Sequence, residues 1–101
     1  MTVTDAINKV TIAKFSLGQV VATPGVIDLV EKKSLAYNTF IIRHASGDWG
    51  DMCKEDKDSN DEAVENGWRI MSSYNVGPAD KIWVITEYDR SVTTLLLPSE
   101  Y

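Results

Sequence analysis

The last third of the chain most constrains what it can fold into. Residues 68–74, 81–87 and 91–97 are each rich in β-branched and aromatic side chains. Asn75-Val76-Gly77-Pro78-Ala79-Asp80 separates the first run from the second, Tyr88-Asp89-Arg90 separates the second from the third, and Pro98 ends the third. Strands joined by connections this short must pair antiparallel, because a parallel return needs a crossover of a dozen residues or more. The C-terminal part is therefore predicted to be a three-stranded meander. Such a sheet is stable only with cover on an apolar face, so the residues before it must supply that cover.

Upstream, residues 15–23 read as a further strand, with Gln19-Val20-Val21-Ala22-Thr23 its firmest part. Thr23 is predicted to cap a first helix that has Pro24 at its first position. Val26, Ile27, Val30 and Ser34 follow a helical period, and Lys32 and Lys33 suit the negative helix end. Residues 38–45 are predicted as a second helix, capped by Asn38, with Phe40, Ile41, His44 and Ala45 inward and Gly47 as its stop. The β-branched pair Ile41-Ile42 leaves a strand open as the alternative. Residues 52–66 are predicted as a third helix, capped by Asp51 and stopped by Gly67, with a thin apolar face of Met52, Ala63 and Val64. Ser59 and Glu62 offer a later start to the same helix. The predicted class is α+β: an antiparallel sheet of about four strands, the C-terminal meander plus one N-terminal strand, with two or three helices packed on one face. Residues 1–14 are expected to be an N-terminal arm, in which Val10-Thr11-Ile12-Ala13 has some strand character, and residues 15–101 a single domain.

Charge is unevenly distributed. The chain of 101 residues carries a net −5. Eight acids (Asp48, Asp51, Glu55, Asp56, Asp58, Asp61, Glu62 and Glu65) and two bases fall within residues 48–65, so all the excess lies in one segment. Clustered Lys and Arg, the signature of phosphate binding, are absent, and direct nucleic-acid binding is not expected. The single cysteine, Cys53, excludes an intrachain disulfide and suits a reducing compartment. Neither a signal peptide nor a membrane span is expected, and the predicted location is cytoplasmic.

The densest gathering of chemically capable residues is Arg43-His44-Ala45-Ser46-Gly47-Asp48-Trp49-Gly50-Asp51, which includes the only histidine. If this loop meets the later turn, His44, Asp48, Glu87, Asp89 and Arg90 form an acid–base or metal-assisted pocket. The opposing expectation is that His44 packs at a helix end and the acids satisfy backbone N–H groups. Asp56-Lys57-Asp58-Ser59-Asn60 opens like a calcium loop, but Asp61 and Gly67 stand where the required Gly and Glu belong. Cys53 beside His44 invites a nucleophile reading, although the surrounding acids oppose a thiolate. No metal or cofactor is assigned.

Three runs together resemble a known family. Gly18-Gln19-Val20-Val21-Ala22-Thr23-Pro24-Gly25, the 43–51 loop, and Lys81-Ile82-Trp83-Val84-Ile85-Thr86-Glu87-Tyr88-Asp89-Arg90-Ser91 with Leu95-Leu96-Leu97-Pro98-Ser99-Glu100-Tyr101 are similar to a small group of bacterial plasmid-related proteins. The likeness extends over residues 15–101. It implies an accessory protein of a mobile genetic element and assigns no catalytic residues. A restriction-subunit label that such proteins sometimes carry finds no support, since the chain lacks a Gly-rich cofactor loop and is too short for that fold.

The leading expectation is a protein-binding module that meets a protein partner through the acidic helix and its preceding loop, with Trp49, Asp51, Glu55, Asp58 and Glu62 as contacts. The alternative is the hydrolase- or nuclease-like pocket above. A third is a structural homodimer in which strand edges pair.

Overall fold

A computed structural model describes residues 13–101. Four strands and three α-helices follow in the order β1 (Gln19–Ala22), α1 (Pro24–Lys33), α2 (Tyr37–Ala45), α3 (Lys54–Asn66), β2 (Ile70–Asn75), β3 (Lys81–Thr86) and β4 (Val92–Leu96), with a 3-10 turn at Pro98–Glu100. The protein is α+β, as predicted, and the meander β2-β3-β4 is antiparallel. The N-terminal strand joins it beside β4, in the order β1-β4-β3-β2, and that one pairing is parallel. The helices between β1 and the meander carry the chain across, as a parallel pair requires.

The strand alternation sorts the sheet into two faces. Val20, Ala22, Ile70, Ser72, Tyr74, Ile82, Val84, Thr86, Thr93 and Leu95 share one face by register. Val26, Leu29 and Val30 of α1 and Phe40, Ile41 and Ala45 of α2 pack with Leu17, Tyr74, Ile82, Val84 and Leu95 in the main core. A second cluster joins Trp49, Ala63 of α3 and Ile70. All three helices thus cover one face. On the other, the ring of Tyr101 stands edge-on to Trp83 and its hydroxyl accepts from Arg69.

Several boundaries differ from those predicted. The strand expected over residues 15–23 shrinks to Gln19–Ala22, because Gly18 takes a left-handed backbone (φ 63°) and Phe15 and Leu17 instead lie over the core. Only glycine fits there, since a Cβ at Gly18 would stand 2.4 Å from the Arg90 carbonyl oxygen. Residues 10–12 of the arm lie outside the described residues; Ala13 packs on the core and the Lys14 N–H donates to the Ala45 carbonyl. In α1 the cap at Thr23 and Pro24 hold as predicted, but Leu29 rather than the half-exposed Ile27 is buried. The α2 cap is Ala36 with no side-chain bond, so Asn38 does not cap it. Nor does Asp51 cap α3, whose cap is Cys53, again without a side-chain bond. The α1 N-terminus gains a second partner from the far end of the chain. Glu100 accepts from the Thr23 hydroxyl and from the N–H groups of Gly25 and Leu97, and these bonds, the Thr23 one foremost, hold its carboxyl below the usual range.

Candidate functional site

His44 lies on the inward face of α2 and is fully buried. Its Nδ1 is 2.5 Å from Ser72 Oγ on β2, and its Nε2 is 2.9 Å from Thr86 Oγ1 on β3. Thr86 Oγ1 is in turn 2.7 Å from Thr93 Oγ1 on β4, and the Thr93 hydroxyl donates to the Leu17 carbonyl at 2.7 Å. That terminal carbonyl only accepts, so the direction of each proton from Leu17 back to Nε2 follows. Thr93 spends its hydrogen on Leu17, so Thr86 donates to Thr93 and accepts from Nε2–H. The neutral imidazole is then the Nε2–H tautomer, in which Nδ1 accepts from the Ser72 hydroxyl. Burial, reinforced by the Arg90 charge, pushes the His44 pKa down to about 3. The rings of Phe15 and Trp49 close around it at 5.2 and 5.9 Å between centroids.

The residues grouped with His44 on sequence grounds do not meet it. Asp48 forms a two-pronged pair with Arg43, at 2.6 Å to Nε and 3.3 Å to Nη2. Its Oδ1 also accepts from the Gly50 N–H, and the Arg43 bond chiefly holds its pKa below the carboxylate norm. The Arg43 guanidinium sits 4.5 Å above the Tyr74 ring, whose hydroxyl donates to the Asp48 carbonyl. Glu87 approaches Arg69 at 3.8 Å, and Asp89 accepts from the N–H and hydroxyl of Ser91 within the β3–β4 turn. Arg90, left-handed at φ 60°, donates to the carbonyls of Trp68, Glu87 and Ala63. It thereby fastens the C-terminal end of α3 to this turn, where a cation is favoured by the helix dipole. A buried, doubly bonded imidazole and four side chains committed elsewhere leave no acid–base constellation among the described residues. Among the described residues no cluster of His, Cys, Asp or Glu is arranged to hold a metal ion.

The 49–51 loop has a different task. It runs beside the outer edge of β2, bridging in parallel at Gly50 and Ser73. The Ser73 N–H donates to the Trp49 carbonyl, the Asp51 N–H donates to the Ser73 carbonyl, and the Asp51 carboxylate accepts from the Asn75 N–H at 2.8 Å. Nearly two turns into α3, the Asn60 amide accepts from the Met71 N–H and donates to the Met71 carbonyl. Every second residue of β2 turns its main-chain groups outward. Both groups of Met71 and Ser73 and the N–H of Asn75 are met by the loop and by α3, so the edge offers little to a further strand. Trp49 anchors the loop: it is 3% exposed, stacks 6.2 Å from Phe15 and donates from Nε1 to Asp61. Trp49 is therefore not a surface contact, contrary to the sequence expectation, and Asp51 serves the sheet edge rather than a helix cap. Asn60→Ala is expected to leave Met71 unpaired and to cost about 2 kcal/mol of unfolding free energy, measured by urea titration.

Surface charge remains on α3. Glu55, Asp56, Asp58, Asp61, Glu62 and Glu65 are all exposed, and only Asn60 and Ala63 of this helix are buried. The described ion pairs engage a single one of these acids, Asp58 with Lys54. Glu55, Asp58 and Glu62 recur at helical spacing and lie along one stripe.

Sequence reasoning missed Ser72, Thr86, Thr93 and Asn60. The signal was present for the first three. Each stands in the inward register of a strand whose other inward residues are apolar, and a polar residue there must have a partner inside. No family model, curated protein or solved structure matches the chain. Among the described residues no helix is long and apolar enough to cross a membrane.

Proposed function

We propose that this protein is a small cytoplasmic protein-binding module, an accessory of a mobile genetic element, which docks a basic surface of a protein partner onto α3. The observation that carries the reading is the exposed acidic stripe of Glu55, Asp58 and Glu62 on a helix held rigidly from beneath. Asn60 and Ala63 fix one side of the helix, and Arg90 fixes its end. A fixed row of carboxylates steers a cationic partner and sets its orientation more than it adds raw affinity. The mobile-element setting rests on the sequence resemblance alone. An enzymatic role draws no support from His44, which is buried and fully bonded.

The test is affinity capture from host extract with the wild-type chain and with Glu55→Lys/Asp58→Lys/Glu62→Lys. Loss of a specific partner from the variant, with an unchanged circular dichroism spectrum, is the expected result. Partner binding should also weaken steeply as salt rises. A partner retained equally by both chains overturns the reading.

A further inference from the structure

The two edges of the sheet are built differently. The outer edge of β2 is occupied by the 49–51 loop and Asn60, whereas no described residue pairs with the outer edge of β1. The Gln19 N–H donates to the Ser91 carbonyl and the Thr23 N–H to the Leu95 carbonyl, which turns the odd-numbered groups of β1 toward β4. Alternation then turns the N–H and C=O groups of Val20 and Ala22 outward. Beside them lies an apolar groove of about 200 Å³, lined by Val20, Val21, Ala22, Tyr37, Ile41 and Leu95. Gln19-Val20-Val21-Ala22 contains no proline and no lysine or other charged residue, the usual guards of an open edge.

We propose that this edge is a self-association surface, on which β1 of a second copy pairs antiparallel about a twofold axis at Val21. The backbone selects that register. Gly18 is left-handed, so the extended outward groups on this side are those of Val20 and Ala22. Centring the axis on Val21 sets Val20 opposite Ala22 of the second copy and Ala22 opposite its Val20, and both pairs exchange main-chain hydrogen bonds. All the outward groups of both strands are then satisfied, and the two sheets become one. The two grooves meet on the helical side, where the half-buried Tyr37 of each copy adds apolar cover. On the opposite face, the half-exposed Val21 side chains meet directly.

Charge favours this edge over the other. None of the groove residues is charged, while the acidic helix packs at β2, the far side of the sheet. Pairing through β1 sets the two α3 helices at opposite ends, roughly 30 Å apart by strand spacing. That is beyond the screening length of about 8 Å at physiological salt. Pairing through β2 would bring like charges together.

The experiment is sedimentation equilibrium on the full chain at high micromolar concentration. The expected mass for the wild type is twice 11.2 kDa. Val21→Lys and Val21→Glu should each sediment as a monomer while keeping the native circular dichroism spectrum, since each sets like charges face to face across the axis. Mixing the two should restore a dimer containing one of each. In a Cys53→Ser background, Val21→Cys should form an intermolecular disulfide under mild oxidation. A wild-type mass of one chain overturns the proposal, as does a dimer that survives both charged variants or a Val21→Cys chain that does not cross-link. None of these readouts depends on α3 or on a partner protein.

Discussion

Trp49→Ala is expected to lower the unfolding free energy by about 4 kcal/mol, in the range found when large aromatic side chains are removed from cores. Trp49 is 3% exposed and packs between Phe15, His44, Ala63 and Ile70, and its Nε1 bonds Asp61. Its loss also frees the loop whose main chain occupies the β2 edge. The variant should therefore aggregate in a concentration-dependent way, as an uncovered strand edge does. Trp49→Phe keeps most of the apolar volume and loses only the indole bond, so it should cost less than half as much. Urea unfolding followed by far-ultraviolet circular dichroism, with light scattering in parallel, measures both effects. Equal stability of the alanine variant and the wild type would show that the loop does not depend on its anchor.

Acid should destabilise the protein well above the carboxylate range. The folded pKa of His44, about 3, lies below its ordinary 6.5, so in between the unfolded chain holds a proton that the folded chain refuses. The stabilising contribution is complete above pH 6.5 and is lost progressively as the pH falls toward 3. The expected slope is about 1.4 kcal/mol per pH unit, or about 3 kcal/mol by pH 4.5. His44 is the only histidine, so no other imidazole shares this window. The depressed carboxylates of Asp48, Asp89 and Glu100 act at lower pH, as their unfolded forms begin to protonate. His44→Gln should be less stable at neutral pH, since Ser72 and Thr86 lose their matched partner, but its stability should be nearly flat between pH 6.5 and 4.5. A slope unchanged in His44→Gln would place the titration elsewhere.

The buried chain from Ser72 to Leu17 ties α2 to three neighbouring strands and to the segment before β1. Such a chain adds specificity because each member has a single partner geometry, and shifting the strand register by one residue would orphan all of them. The side-chain nitrogen and oxygen atoms buried among the described residues all have hydrogen-bond partners. This accounts for a histidine in the middle of the fold without assigning it any chemistry.

Much of the architecture was legible from the residues. Alternating apolar positions and short turns forced β2, β3 and β4 into a meander, because strand period and turn length are local properties. The Thr23-Pro24 start of α1 and the Gly67 stop of α3 were legible for the same reason: caps and left-handed stops depend on a few adjacent residues. The acidic surface of α3 needed only a helical period and a count of charges. Tertiary structure decided the rest, since the partners involved lie far apart in sequence. The parallel seat of β1 beside β4 depends on how three helices fold back over the sheet. Whether Asp48 meets His44 or Arg43, and whether Asp51 serves a helix or the edge of β2, depends on competition between donors that only the folded chain brings together. The 43–51 loop gathers rare residues, and the sequence made it the first candidate for an active site. The fold turns that loop into an anchor and an edge guard, because a sheet edge with outward N–H and C=O groups needs partners and this loop lies beside it.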